Sequence, residues 1–108
     1  MVEPPSISIV DGGFFKIMKN TREQIDGWVS EAFPEDEILM ADGFEDAFLG
    51  VAMQFNKPIS IFDYDKCLTI LQKDGMSYQE AEEYMQFNVV GAYVGENTPA
   101  FLFKFKKL

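Results

Sequence analysis

Two strand-patterned runs separated by three turn residues constrain this chain more than any other feature of its sequence. From Ala47 to Phe55 the residues alternate, with Ala47, Leu49, Val51, Met53 and Phe55 on one side and Phe48, Gly50, Ala52 and Gln54 on the other. Ile59 to Tyr64 forms a second run, β-branched at first and then aromatic. Asn56-Lys57-Pro58 between them reads as a short turn. Strands this close in sequence pair antiparallel, because a parallel pair needs a crossover of about a dozen residues or more. The small residues on the second face of the first run imply that something packs closely over it.

Around this hairpin the sequence marks further elements. Ser6 to Val10 alternates Ile7 and Ile9 with serines, Asp11-Gly12 is a two-residue turn signal, and Phe14 to Met18 is the returning strand. Thr21 and Gln24 have capping-box spacing, after which Ile25, Trp28, Val29, Ala32 and Phe33 recur at helical intervals until Pro34. Glu37 to Ala41 reads as a short strand, with Phe44 to Asp46 as a bend. Asp63 or Asp65 caps a helix carrying Cys67, Leu68, Ile70 and Leu71 that closes at Asp74-Gly75. Ser77 and Glu80 form another capping box, for a helix through Ala81, Tyr84, Met85 and Asn88. Ala100 to Phe105 alternates again, with Phe101, Phe103 and Phe105 on one face. The expected fold class is α+β: a mainly antiparallel sheet of four to five strands with three helices packed on one face.

At 108 residues the chain suits one domain, residues 1–108, since two cores would each be marginal. Eleven Phe and the high apolar content supply enough to fill that core, which argues against disorder. The longest apolar run, Ala47 to Met53, is far shorter than the roughly 18 residues a spanning helix needs. The first residues, Met1-Val2-Glu3-Pro4-Pro5, lack the basic start and apolar stretch of a secretory signal, so a cytoplasmic location is expected. A lone cysteine, Cys67, agrees with a reducing compartment.

Charge is unevenly placed. Between Arg22 and Lys57 there is no basic residue, yet the stretch holds Glu23, Asp26, Glu31, Glu35, Asp36, Glu37, Asp42, Glu45 and Asp46. These nine carboxylates equal the net charge of −9, and the other acids are matched by the nine Lys and Arg. Such a field repels phosphate backbones and membrane surfaces and favours basic partners, so neither direct nucleic-acid binding nor membrane binding is expected.

Recognisable catalytic chemistry is sparse. Histidine is absent, which removes the usual general base near neutral pH and excludes Ser-His-Asp and Cys-His arrangements. Cys67 among Leu68, Ile70 and Leu71 reads as a buried, inert thiol of raised pKa, and zinc would need further Cys or His ligands. Asp42, Glu45, Asp46, Asp63 and Asp65 suit a hard cation in type, but neither Asp42 nor Asp63 begins a calcium loop: the sixth position holds Ala47 or Leu68 instead of glycine. No glycine-rich phosphate loop occurs, so no cofactor, metal or catalytic residue is assigned. Lys104, Lys106 and Lys107 read as charges protecting an edge strand. Asn88 and Tyr93 read as polar tips satisfied by buried hydrogen bonds.

Asp42-Gly43-Phe44, Tyr64-Asp65-Lys66-Cys67, Asp74-Gly75-Met76, Glu80-Ala81, Glu83-Tyr84, Gly95-Glu96 with Thr98-Pro99, and above all Phe87-Asn88-Val89-Val90-Gly91-Ala92-Tyr93-Val94-Gly95-Glu96 carry a resemblance. Over residues 40–102 the chain resembles a group of small proteins of tailed bacteriophages and bacteria whose function is unassigned. The resemblance implies an accessory protein that acts by binding, and it carries no activity or cofactor.

The functional expectation is a small binding or regulatory protein that turns its acidic segment toward a basic protein surface, with Glu35, Asp36, Glu37, Asp42, Glu45 and Asp46 as the contact residues. As a mimic of nucleic acid, nine acids are few against duplex DNA's one charge per ~1.7 Å. Two alternatives belong to other classes. One is a self-associating structural module, a homodimer paired through the aromatic edge Phe101 to Phe105. The other is a carboxylate or divalent-metal-dependent enzyme using Asp42, Asp46, Asp63 or Asp65.

Overall fold

The computed structural model describes residues 7–9 and 21–107. In chain order these form β1 (Ile7–Ile9), α1 (Thr21–Ala32), β2 (Leu39–Ala41), a 3-10 turn (Glu45–Ala47), β3 (Phe48–Gln54), β4 (Lys57–Asp63), α2 (Tyr64–Lys73), α3 (Tyr78–Tyr84), a π-helical segment (Met85–Val90) and β5 (Ala100–Leu102). The fold is α+β, with three α-helices and a three-stranded mixed sheet.

One mainly antiparallel sheet of four to five strands is not what forms. The sheet order is β3-β4-β5, with β3 antiparallel and β5 parallel to β4. Two helices separate β4 from β5, and a helical crossover of that length returns the chain in the same direction. β1 and β2 make a separate antiparallel pair, Ile7 opposite Ala41 and Ile9 opposite Leu39. The expected return strand at 14–18 and its turn at 11–12 lie outside the described residues. The last strand also stops at Leu102, short of the expected Phe105.

Within the predicted hairpin, two local details differ from the simple alternation. Phe48 faces Phe62 but Gly50 faces Ile61, so Leu49 is an extra residue in β3. Such a bulge moves a strand's side chains to the opposite face. Phe48 thereby joins the face of Val51, and Leu49 is left half exposed. The turn itself is Phe55-Asn56 between Gln54 and Lys57, one step earlier than Asn56-Lys57-Pro58, and Phe55 takes a positive φ of 57° there. A β-carbon in that region costs about 1–2 kcal/mol.

Phe48, Phe62 and Phe101 line up across the three strands on one face, with Phe62 in ring contact with both neighbours at 5.6 and 5.8 Å. That face meets Ile25 and Val29 of α1, Cys67, Leu68 and Leu71 of α2, and Ala81 and Met85 beyond it, in one buried cluster. Burying a side chain such as Phe62 contributes about 1.5–3 kcal/mol. The buried Ser60 hydroxyl donates to the Leu39 carbonyl at 2.6 Å, tying the sheet to β2. On the other face, Ala52 and Ala100 are exposed and Ile59 and Ile61 half buried, so the close packing expected over Gly50 and Ala52 is not seen among the described residues.

Helix ends follow the sequence closely. Asp63, not Asp65, caps α2 by accepting the Lys66 backbone N–H. At the other end Gly75 is left-handed (φ 109°), its N–H donates to Gln72 and the Met76 N–H to Leu71, a Schellman closure. Ser77 and Glu80 form the reciprocal capping box at α3. That helix continues past Tyr84 as π-helix and ends at Gly91, where a β-carbon would lie 2.8 Å from the Gln86 carbonyl oxygen.

Candidate functional site

The acidic third of the sequence is arranged about the two ends of α1, a helix of about 18 Å. At its first turn Arg22 is the organising charge. Its Nε donates to Asp26 Oδ1 at 2.8 Å, one turn along the helix, and its Nη1 donates to Asp42 Oδ1 at 2.5 Å, with Glu45 Oε2 3.8 Å away. The Glu45 carboxylate also accepts the Gly43 backbone N–H at 3.1 Å. Thr21 was expected to cap the helix; it already lies within it, and its hydroxyl donates to Asp46 Oδ1 at 3.3 Å. Burial alone would lower the affinity of Arg22 for its proton, but its hydrogen bonds to Asp26 and Asp42 and the charges of those carboxylates outweigh it and raise the pKa above the ordinary arginine value. Asp42, Glu45 and Asp46 are therefore committed to holding the 3-10 turn against α1. A shallow cleft of about 380 Å³ opens there, walled by Thr21, Arg22, Glu45 and Asp46, which satisfy one another.

The opposite end is built differently. α1 has no basic residue in its last turn; Glu31 lies within it and Glu35, Asp36 and Glu37 follow, all exposed. A carboxylate in the last turn of a helix, such as Glu31, opposes the macrodipole at a cost of about 0.3–1 kcal/mol, and the effect falls off beyond that turn, so Glu35, Asp36 and Glu37 together bear only a few tenths (~0.5 kcal/mol at most). Among the described residues none of Glu35, Asp36 and Glu37 forms an ion pair, whereas the backbone beneath them is fixed. The Asp36 N–H donates to Phe33, and Asn97 Nδ2 donates to the Glu37 carbonyl at 3.0 Å. Trp28, the chain's single tryptophan, is 49% exposed and edge-on to Phe33, which precedes this loop, and to Phe48, at 6.1 and 6.3 Å.

Of the six predicted contact residues, then, Glu35, Asp36 and Glu37 present open carboxylates, Asp42 and Glu45 are drawn to Arg22, and Asp46 accepts from the Thr21 hydroxyl. In the sequence Arg22 reads only as the boundary of the acidic stretch and Trp28 only as part of the apolar stripe. The signals available for them are a lone arginine before a run of acids and the largest side chain on a helix otherwise lined by medium-sized ones.

Elsewhere, Asp63 and Asp65 lie apart from Asp42 and Asp46 and pair with Lys104 (3.2 Å) and Lys106 (3.8 Å). These lysines thus follow the strand and hold the C-terminal stretch to the start of α2, instead of guarding the edge of β5; Phe103 assists by stacking on Tyr64 at 4.1 Å. Burial pushes the Asp63 carboxyl up, but the Lys66 N–H and the Lys104 ammonium outweigh it and hold it below the usual range. Among the described residues no three His, Cys, Asp or Glu side chains converge in a way that would hold a metal ion, and no helix is long and apolar enough to cross a membrane. Asn88 and Tyr93, expected inside, are exposed: the wider π turn carries Met85 and Val89 inward and leaves Asn88 outside, and Tyr93 lies in the loop that follows Gly91. Cys67 is fully buried and its thiol is pushed up to about 12 by burial and, secondarily, by the charge of Asp63.

Compared with protein-family models, curated proteins and solved structures, the chain matches none.

Proposed function

We propose that this protein is a small accessory binder that engages a basic segment of a partner protein through Glu35, Asp36 and Glu37 at the C-terminal end of α1, with Trp28 as the adjoining apolar contact. The observation that carries the reading is the contrast in charge use: Asp42 and Glu45 are held by Arg22, whereas the three loop carboxylates sit exposed on an anchored backbone at the helix end that electrostatics disfavours. Rule-breaking local choices of this kind collect at functional surfaces. An exposed acidic loop attracts Lys- and Arg-rich segments at long range. A half-exposed indole offers both apolar area and a cation–π face to the same side chains. An accessory role is also what the resemblance read from residues 40–102, to small proteins of tailed bacteriophages and bacteria, implies.

The test is titration of an array of Lys- and Arg-rich peptides against the purified protein, read by the fluorescence of Trp28. Binding should weaken steeply with salt, and the combined E35Q, D36N and E37Q changes should reduce affinity about tenfold or more, equivalent to ~1.4 kcal/mol. Equal binding by the wild-type and triple-variant proteins would remove the reading. A catalytic role is not proposed, since the carboxylates considered for it are engaged with Arg22, Thr21, Lys104 and Lys106.

A further inference from the structure

Residues 103–107 carry an inference independent of the acidic loop. Beyond Leu102 their backbone belongs to no helix or strand, so side chains place this stretch. Lys104 and Lys106, two positions apart, reach Asp63 Oδ2 and Asp65 Oδ2, also two positions apart, at 3.2 and 3.8 Å, and Phe103 lies nearly flat on Tyr64 with ring planes 22° apart. The two sides of this contact are held very differently. Tyr64 is 6% exposed and belongs to the core cluster, and Asp63 is fixed as the cap of α2. Phe103 and Phe105 are exposed, and the Lys106 and Asp65 side chains are 79% and 45% exposed, where ion pairs hold weakly and salt screens them. The seat is thus part of the fold, whereas the segment on it has only the seat to hold it.

We infer that residues 103–107 form a detachable strap over the start of α2, with ionic strength setting the balance between its seated and lifted states. Seated, the strap covers the Tyr64 ring and pairs with Asp63 and Asp65. Lifted, it uncovers an aromatic ring flanked by two carboxylates. Lifting leaves the helix start intact, because Asp63 accepts the Lys66 N–H through Oδ1 and meets Lys104 through Oδ2. β5 also stays in register, since its pairing with β4 runs from Ala100 to Leu102 and Phe101 stacks on Phe62 from inside.

The experiment is limited digestion of the purified full chain with trypsin, which cuts after Lys104 only when the strap is off its seat, so the rate reads the lifted population. Each rate is divided by that of a free peptide of residues 100–108 under the same conditions, which removes the effect of salt on the protease itself. Between about 0.02 and about 0.5 M salt this ratio should rise roughly fivefold or more as screening weakens both ion pairs. Cleavage after Lys66, which needs α2 to open, should stay unchanged. At low salt D65N should be cut after Lys104 about threefold faster than the parent, and its Lys66 rate shows that it is folded. A ratio that does not move with salt overturns the inference, whether cleavage is as fast as in the free peptide or as slow as at Lys66. A rise at Lys66 in step with Lys104, or a folded D65N cut no faster than the parent, overturns it as well.

Discussion

The two ends of α1 are rich in the same residue types and use them in opposite ways. At Arg22 one guanidinium gathers Asp26 from its own helix and Asp42 and Glu45 from the stretch after β2. At 35–37 three carboxylates stand on a loop whose backbone is secured by Phe33 and Asn97 and whose side chains meet solvent. Acid content therefore says little about role. What separates structural from available charge is whether a cation from elsewhere in the chain reaches it.

Removing the cation is the strongest way to break this contrast. Arg22→Ala leaves Asp26, Asp42 and Glu45 close together without compensation, and unfolding in urea should show a loss of about 2–3 kcal/mol. Arg22→Lys keeps the charge but not the two-pronged geometry, and about half that loss is expected. If the alanine variant is as stable as the parent, the arginine cluster is ornamental and the two ends are alike.

Asp63 sharpens the comparison from outside the helix, because it too is committed charge. Asp63→Ala removes the α2 cap and the Lys104 partner, at a cost of about 1–2 kcal/mol. Since the folded pKa is depressed, its contribution is fully present above the ordinary unfolded value, about 3.9, and is lost as pH falls through the lower folded value. Urea midpoints measured between neutral and strongly acid pH should drop over that window in the parent and fall less in Asp63→Ala.

The smallest effect belongs to the open loop. Neutralising Glu35, Asp36 and Glu37 together should change stability by no more than about 0.5 kcal/mol, and upward, by relieving their opposition to the helix dipole. Added salt should narrow the difference between that variant and the parent. A loss above that size would show that these carboxylates are structural after all.

What the sequence made legible was local. The capping box at Ser77, the closure at Gly75, a cap from one of Asp63 and Asp65, and the antiparallel pairing of β3 with β4 each depend on residues a few positions apart, and these formed. What it hid was long-range or cumulative. The parallel pairing of Ile61 with Ala100 depends on two helices packing between them, and alternation alone does not encode direction. One inserted residue at Leu49 exchanged the faces of the strand before it. The commitment of Asp42 to Arg22 spans 20 positions and became visible only once α1 and the 3-10 turn were side by side. Asp42, Glu45 and Asp46 thereby have partners within the chain, while Glu35, Asp36 and Glu37 meet no cation among the described residues and stay exposed.

Cys67 gives this fold a chemical stopwatch. The thiol is sealed under α2 and holds its proton until about pH 12, so a disulfide reagent can react only during moments when the helix lifts away. As the chain's one sulfhydryl, it yields a single modification event per molecule, and the rate of that event counts openings of the core directly.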